Sequence, residues 1–98
     1  MAEGYMTGDV FDSEEGYSTC DLYLSAFFVS AGCKMLNSIR DKKTKRVYFL
    51  FEKNKILLDL KVSYFSRQAK IDALTFADNI KSLKSLCHNL IVVNQVSA

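Results

Sequence analysis

The chain has 98 residues, of which 49% are hydrophobic, 12% aromatic and 24% charged. These values fit one globular domain and exclude a disordered chain. No apolar run approaches the roughly 20 residues of a membrane-spanning helix. The first 21 residues contain no Lys or Arg, which a secretory signal peptide would carry. We therefore expect a cytoplasmic protein with no membrane partner.

The cysteine pattern favours reduced thiols over disulfides or a metal site. Cys20, Cys33 and Cys87 are odd in number and widely spaced. Structural zinc sites use closely spaced ligand pairs, whereas the single histidine, His88, directly follows Cys87. Adjacent helical residues point about 100° apart, so this pair does not converge on one ion. We predict three structural thiols, no metal and no cofactor.

Charge divides the chain into two parts. Residues 1–21 carry a formal charge of −6, and residues 22–98 carry 13 basic and 5 acidic groups. Three of the four glycines also lie in the acidic part, which has no sustained apolar period. The sequence predicts a flexible acidic tail over residues 1–16, one domain over residues 17–93 and a C-terminal tail over residues 94–98.

The first predicted helix covers residues 20–33. Ser18 or Thr19 is a suitable N-cap, and the apolar residues that follow cover most of the helix circumference. A helix that is apolar all round is buried on more than one side. Gly32 suits the left-handed position that ends such a helix.

A β-hairpin follows over residues 34–52. In its first strand, Met35 and Ile39 are expected on one face. Residues 41–44 contain no glycine, which favours a type I turn in a four- or five-residue loop. The second strand, residues 45–52, is apolar on both faces, with Val47, Phe49 and Phe51 on one of them. Helices or a second chain are expected to cover both faces.

Residues 54–66 fit two structures. Leu58, Leu60, Val62 and Tyr64 alternate with polar residues, which is the period of a strand. However, Asn54 is a good helix cap, and a helix would carry two apolar stripes suited to a position between layers. The stripes are Leu57/Leu60/Tyr64 and Leu58/Val62/Phe65.

The last element is an amphipathic helix capped by Asp72. Its apolar residues recur at spacings of four, three, four and three, from Phe76 to Leu90. The β-branched residues that follow predict an end near Asn89 or Leu90. The order helix, hairpin, helix, helix predicts an α+β fold, αββαα, in which residues 54–66 alternatively form a third strand.

Helix caps and core positions follow one another in a fixed order over about residues 17–87: Tyr17, Thr19, Asp21, Leu22, Leu24, Phe27, Gly32, Phe49, Phe51, Glu52, Tyr64, Phe65, Ile71, Asp72, Phe76, Ile80, Leu83 and Lys84. This pattern resembles that of a family of short, uncharacterised domains encoded in bacterial and phage genomes. It implies a helix over residues 54–66, although the alternation over residues 57–61 departs from the family pattern. It implies no activity.

Enzyme signatures are absent from the sequence. No phosphate-binding glycine loop and no G-x-S-x-G nucleophile motif occurs. A pairing of His88 with the Cys87 nucleophile is disfavoured, because the apolar seam of the last helix directs Cys87 inward and His88 outward. We predict a non-enzymatic protein with no catalytic residues and no evident small-molecule substrate.

The basic hairpin is the one feature that suggests a function. Five basic residues lie within seven positions: Arg40, Lys42, Lys43, Lys45 and Arg46. Such a cluster neutralises phosphates, and a two-stranded ribbon can enter a major groove. A solvated, lysine-rich turn is the simpler interpretation. We therefore carry two hypotheses: a nucleic-acid-associated accessory protein, and a protein-interaction or homodimerisation module that uses apolar sheet or C-terminal surface.

Overall fold

The computed structural model describes residues 10–12 and 16–96. Its elements in chain order are β1 (Val10–Asp12), β2 (Gly16–Thr19), α1 (Leu22–Ser30), β3 (Met35–Arg40), β4 (Val47–Glu52), α2 (Lys55–Phe65) and α3 (Ala73–Val96). The predicted α+β class is confirmed, with a helix, a hairpin and two further helices. The two strands before α1 were not predicted. No helix within the described ranges has the length and apolar character needed to cross a membrane.

The strands form one antiparallel sheet in the order β1-β2-β4-β3. β4 is central: Tyr17 of β2 lies opposite Phe51, and Arg40 of β3 lies opposite Val47. β4 buries alternate residues, Val47, Phe49 and Phe51, as its period predicts. These residues define the inner face of the sheet, against which α1 packs, and the alternate residues define the outer face.

An aromatic cluster joins α1 to the inner face. The Phe28 ring makes edge contacts with Tyr17 and Phe51, at centroid distances of 6.0 and 5.2 Å. Phe28 and Phe51 are fully buried, and Leu83 brings α3 into the same core. Asn79 of α3 also donates to the Ser30 hydroxyl of α1 at 2.9 Å. The helices therefore cover one side of the sheet and leave the hairpin loop beyond the core.

Asp21, rather than the predicted Ser18 or Thr19, caps α1. Its carboxylate accepts the Leu24 N–H at 3.0 Å, and the Thr19 hydroxyl accepts the Asp21 N–H at 3.1 Å. Thr19 pairs with Phe49 in the sheet, so the chain leaves β2 before the helix begins. The predicted role of Gly32 is confirmed, since it has φ 92 immediately after the cap Ala31.

A bulge between Met35 and Asn37 corrects the predicted faces of β3. Met35 lies opposite Phe51, on the inner face, whereas Ile39 lies opposite Tyr48, on the outer face. An extra residue in one strand reverses the alternation beyond it, so the two side chains do not share a face. Ile39 is exposed.

Residues 55–65 form a helix, so the strand alternative for this segment is wrong. Asn54 caps α2 as predicted, accepting the Leu57 N–H at 2.8 Å. The first predicted stripe faces the protein, with Leu57 fully buried and the Tyr64 ring 5.3 Å from that of Phe27. Among the residues that the structure describes, no layer covers the second stripe: Leu58, Val62 and Phe65 are exposed.

Helix α3 is longer than the sequence predicted. Asp72 caps it as expected, accepting the Thr75 N–H at 2.8 Å. The helix continues to Val96, past Asn89 and Leu90. The β-branched residues in this stretch lower helix propensity by only a few tenths of a kcal/mol each, and each added residue still gains one backbone hydrogen bond.

The predicted acidic tail, residues 1–16, falls largely outside the described structure. Residues 1–9 and 13–15 are not described, whereas Val10–Asp12 and Gly16 belong to β1 and β2. Within the predicted C-terminal tail, residues 94–96 continue α3 and residues 97–98 are not described.

Candidate nucleic-acid interface

The hairpin loop is organised around Asp41. Its carboxylate accepts the Lys43 N–H at 3.0 Å and the Thr44 hydroxyl at 3.0 Å. The Asp41 backbone pairs with both sides of the loop, donating to the Arg46 carbonyl at 2.8 Å and accepting from Lys45 N–H at 2.7 Å. The two bonds to the carboxylate, from the Lys43 N–H foremost and then from the Thr44 hydroxyl, lower the pKa of the Asp41 carboxyl. The only acidic group in the loop is therefore held by the loop's own donors.

Lys45 adopts a left-handed backbone conformation, with φ 67. Glycine or asparagine is the usual residue there, because a side chain at positive φ costs about 1–2 kcal/mol. In this loop a lysine occupies the position that closes the turn into β4. No sequence motif marks it, because the residue type gives no sign of the positive φ.

Four basic residues of the loop are exposed: Lys42, Lys43, Lys45 and Arg46. We call them the basic tip. With Asp41, their formal charge is +3. Arg46 also lies beside the β2–α1 connection, where its guanidinium Nη1 is 3.8 Å from the Cys20 thiol sulfur. The structure thus brings together four of the five residues that the sequence singled out.

Arg40 is the exception among the predicted site residues. It pairs with Val47, so its side chain starts from the inner face of β3. Its Nε is buried and has no hydrogen-bond partner within the described structure. The side chain is partly buried overall, unlike the four exposed residues of the basic tip. Proximity in the sequence could not distinguish Arg40 from the basic tip, because adjacent residues of a strand alternate between its faces.

The other lysines near the hairpin lie at its opposite end. Lys34 precedes β3, and Lys53 follows β4. Because the strands are antiparallel and six residues long, this end is about 20 Å from the tip. The basic residues therefore form two separate groups, and only one of them surrounds the loop.

The burial of the aromatic side chains near the basic tip disfavours base stacking. Phe49 is buried on the inner face, and Tyr48 is half-buried on the outer face. Base stacking by single-strand-binding proteins uses accessible aromatic rings alongside the charges. The arrangement therefore favours contacts with phosphates over contacts with bases.

Cys20, Cys33 and Cys87 are thiols rather than disulfides, and all three are half-buried. Burial raises the pKa of the Cys33 and Cys87 thiols, which keeps them protonated and weakly nucleophilic. His88 is exposed, beside the half-buried Cys87. No group of three His, Cys, Asp or Glu side chains suited to a metal ion occurs within residues 10–12 and 16–96.

Comparisons with known proteins identify a family without an assigned function. The search of curated proteins and the search of solved structures each found no significant match. One family model, described as Domain of unknown function (DUF5659), matches residues 14–89. The match runs from the residues just before β2 to the later turns of α3, and thus includes the whole hairpin. The chain therefore belongs to this family of domains of unknown function, DUF5659.

Proposed function

We propose that this protein is a small, non-enzymatic accessory protein that binds nucleic acid through the basic tip. The proposal rests on the difference between the hydrogen-bonded acidic side chain of the loop and its exposed basic side chains. Asp41 is engaged by backbone and hydroxyl donors of the loop, whereas Lys42, Lys43 and Lys45 are exposed around it. Their positive charge is thus presented on a structured loop at one end of the four-stranded sheet, where β3 and β4 extend beyond their neighbour β2.

This arrangement suits the phosphate backbone rather than a specific base sequence. Each lysine that meets a phosphate releases condensed counterions, so affinity falls steeply with salt. Beyond the last pair between β2 and β4, Thr19 with Phe49, the sheet is only two strands wide, and a ribbon of that width fits a major groove. We propose that the protein acts in the cytoplasm and belongs to a bacterium or a mobile element. The proposed bacterial or mobile-element origin rests on the family resemblance alone.

Fluorescence anisotropy with labelled duplex and single-stranded DNA tests the proposal across a salt series. Replacing Lys42, Lys43 and Lys45 by Gln should weaken binding to all sequences. It should also flatten the slope of log K against log salt by up to about 2.7, at about 0.9 for each phosphate contact. The replaced side chains are exposed, so stability should change by less than about 0.5 kcal/mol per site.

A matched triple variant distinguishes an effect of the basic tip on binding from an effect of net charge. Lys34, Lys81 and Lys84 are exposed lysines outside the loop, and their replacement by Gln removes the same charge. This control should retain the salt slope of the parent protein. If both variants lose binding equally, or if the parent binds neither DNA at low salt, the basic tip is not an interface for nucleic acid.

A second candidate, homodimerisation, is favoured by the outer face of the sheet. Leu36 and Ile39 are 44% and 53% exposed there, at and beyond the bulge in β3. Tyr48 and Leu50 extend this apolar surface across β4 and are half-buried. The C-terminal apolar surface is the other surface predicted to mediate a dimer, and it begins at Leu90. The structure does not describe the side chains of residues 91–98. Light scattering should show a dimer that Ile39→Asp converts to a monomer; a monomeric parent protein excludes this candidate.

A further inference from the structure

The hairpin loop carries an acidic residue among its basic side chains. Asp41 is the only acidic residue in the span 40–46, in which five residues are basic. A carboxylate at this position repels the phosphates of a nucleic acid, so charge alone would favour a neutral residue there. The hydrogen bonds of Asp41 point to a second role within the loop, which rests on the proposed function of the basic tip.

The Asp41 side chain links the first part of the loop to the last. Its Oδ1 accepts the Lys43 N–H at 3.0 Å, and its Oδ2 accepts the Thr44 hydroxyl at 3.0 Å. The Thr44 oxygen in turn accepts the Arg46 N–H at 3.3 Å. A chain of side-chain hydrogen bonds therefore runs from Asp41 to the residue that precedes β4.

The backbone at Lys45 depends on the same bonds. Lys45 has φ 67, a conformation that glycine adopts more readily than lysine. A side chain persists in such a conformation only where the surrounding structure holds it. The Lys45 N–H donates to the Asp41 carbonyl at 2.7 Å, and the preceding Thr44 is bonded to the Asp41 carboxylate. The main chain and the side chain of Asp41 thus both support the backbone path at Lys45.

An ordered loop gives the basic tip an advantage in binding. Lys42, Lys43 and Lys45 are exposed and have flexible side chains that lose conformational freedom on meeting phosphates. If the backbone beneath them were also mobile, binding would have to order it as well. A loop that is ordered before binding avoids this additional loss of entropy.

We propose that Asp41 is a positioning residue for nucleic-acid binding, whose hydrogen bonds hold the loop backbone of the basic tip in the form that meets phosphates. Its carboxylate supports binding through the loop and opposes binding through its charge. Because the two effects have opposite signs, substitutions at this one position distinguish them.

Asp41→Asn and Asp41→Ala make the same change of charge. Asparagine keeps a side-chain oxygen that accepts the Lys43 N–H and is favoured in turns of this kind, whereas alanine keeps no acceptor. Binding of labelled duplex DNA is followed by fluorescence anisotropy at low salt. Asp41→Asn should bind at least as tightly as the parent protein. Asp41→Ala should bind at least threefold more weakly than Asp41→Asn, although the two variants have equal charge.

Thr44→Val tests the second hydrogen bond of the carboxylate without any change of charge. Valine has nearly the shape of threonine, but it can neither donate to Asp41 nor accept from the Arg46 N–H. This variant should weaken DNA binding severalfold. A basic tip that acts through charge alone would bind DNA equally well with either residue.

Asp59 provides the matched control for the pair of substitutions at Asp41. It is an exposed acidic residue on α2, outside the hairpin, and it forms an i,i+4 ion pair with Lys55. Asp59→Asn and Asp59→Ala should bind DNA equally, because neither variant alters the loop. Thermal melts check that every variant is folded.

Two results would overturn this inference. One is equal binding of DNA by Asp41→Asn and Asp41→Ala, which would show that the carboxylate acts only through its charge. The other is unchanged binding by Thr44→Val. Either result leaves the proposed function in place if replacement of Lys42, Lys43 and Lys45 by Gln still weakens binding. A parent protein that does not bind DNA at low salt rejects the proposed function and this inference together.

Discussion

Arg67 at the end of α2 occupies the backbone position that Gly32 occupies at the end of α1. In α1, the N–H groups of Gly32 and Cys33 donate to the carbonyls of Val29 and Phe28. In α2, the N–H groups of residues 67 and 68 donate to the carbonyls of residues 64 and 63 in the same pattern. This is the Schellman motif of helix C-termini, in which the first residue after the C-cap adopts positive φ. The φ angles are 92 at Gly32 and 64 at Arg67.

The two positions should respond oppositely to substitution. Gly32→Ala should lower the free energy of unfolding by about 1 kcal/mol, because a side chain is unfavourable at positive φ. A Cβ at this position meets no atom within 4 Å, so the loss would come from the backbone alone. Arg67→Gly should raise the free energy of unfolding by about 0.5 kcal/mol, since glycine's greater freedom in the unfolded chain offsets part of the gain.

Urea denaturation measures both changes. Arg67→Ala is the control, because it removes the charge but keeps the Cβ, and it should give no stabilisation. An equal gain from Arg67→Gly and Arg67→Ala would show that charge, rather than backbone conformation, limits stability at this position.

Phe49 should be among the most costly core residues to truncate. It is 1% exposed in β4, one of the two interior strands of the sheet, as the alternation of this strand predicted. Phe49→Ala should lower the free energy of unfolding by about 3–5 kcal/mol, through lost burial and the cavity that remains. A small domain has about 5–10 kcal/mol in total, so the variant should be close to unfolding at 37 °C. Leu50→Ala, at a half-buried position on the outer face, should cost less than Phe49→Ala in the same thermal melts.

The sequence predicted the elements that have a strong period or a clear cap. The alternation in β4 identified Phe49 and Phe51 as core residues, and Asn54 and Asp72 identified the starts of two helices. The short strands β1 and β2 were missed because three or four residues give too little alternation to recognise.

Register and exposure were the least predictable properties. The bulge near Leu36 reverses the faces of β3 without any glycine or proline to mark it. Arg40 lies next to the loop lysines in the chain, but its side chain starts from the inner face of the sheet. The exposure of Leu58, Val62 and Phe65 depends on where α2 packs, which is a tertiary property that helical spacing does not fix.

The contact between Lys61 and Tyr17 should contribute to the stability of α2 on the sheet. The ammonium lies 4.8 Å from the centre of the buried Tyr17 ring, within the range of a cation–π interaction. Lys61→Met keeps most of the aliphatic stem and removes the charge, so it should lower the free energy of unfolding by about 0.5–1 kcal/mol. Lys55→Met, at an exposed position with one i,i+4 ion pair, should cost no more than about 0.5 kcal/mol. Equal losses in chemical denaturation would contradict a specific role for the Tyr17 ring.

Two truncations should distinguish the contribution of residues 1–9 to stability from that of strand β1. Removing residues 1–9 should leave the melting temperature within about 2 °C, as expected for the predicted flexible tail. Removing residues 1–15 also deletes Val10–Asp12, which pair with β2. That truncation should lower the melting temperature by about 5 °C or more, which corresponds to about 1 kcal/mol in a domain of this size. A large loss on removing residues 1–9 would contradict a flexible tail.

Stability should fall in acid because of the Asp72 cap. The hydrogen bonds from the backbone N–H and hydroxyl of Thr75 lower the pKa of the Asp72 carboxyl below its usual value near 3.9. The ionised carboxylate therefore stabilises the folded state fully above about pH 4, and this contribution is lost as the pH falls through the folded-state pKa. Asp72→Asn keeps a residue that caps helices well and removes only the charge.

Thermal melts from pH 2 to pH 6 measure this contribution. The parent protein should melt above Asp72→Asn at pH 6, and the two melting temperatures should converge as the pH falls below about 4. Asp78→Asn, at an exposed position on the same helix that makes no cap hydrogen bond in the described structure, is the control. It makes the same change of charge on the same helix away from the cap, so its melting temperature at pH 6 reports the effect of net charge alone. A difference between the parent protein and Asp72→Asn that stays constant down to pH 2 would show that the ionised cap does not drive the acid sensitivity.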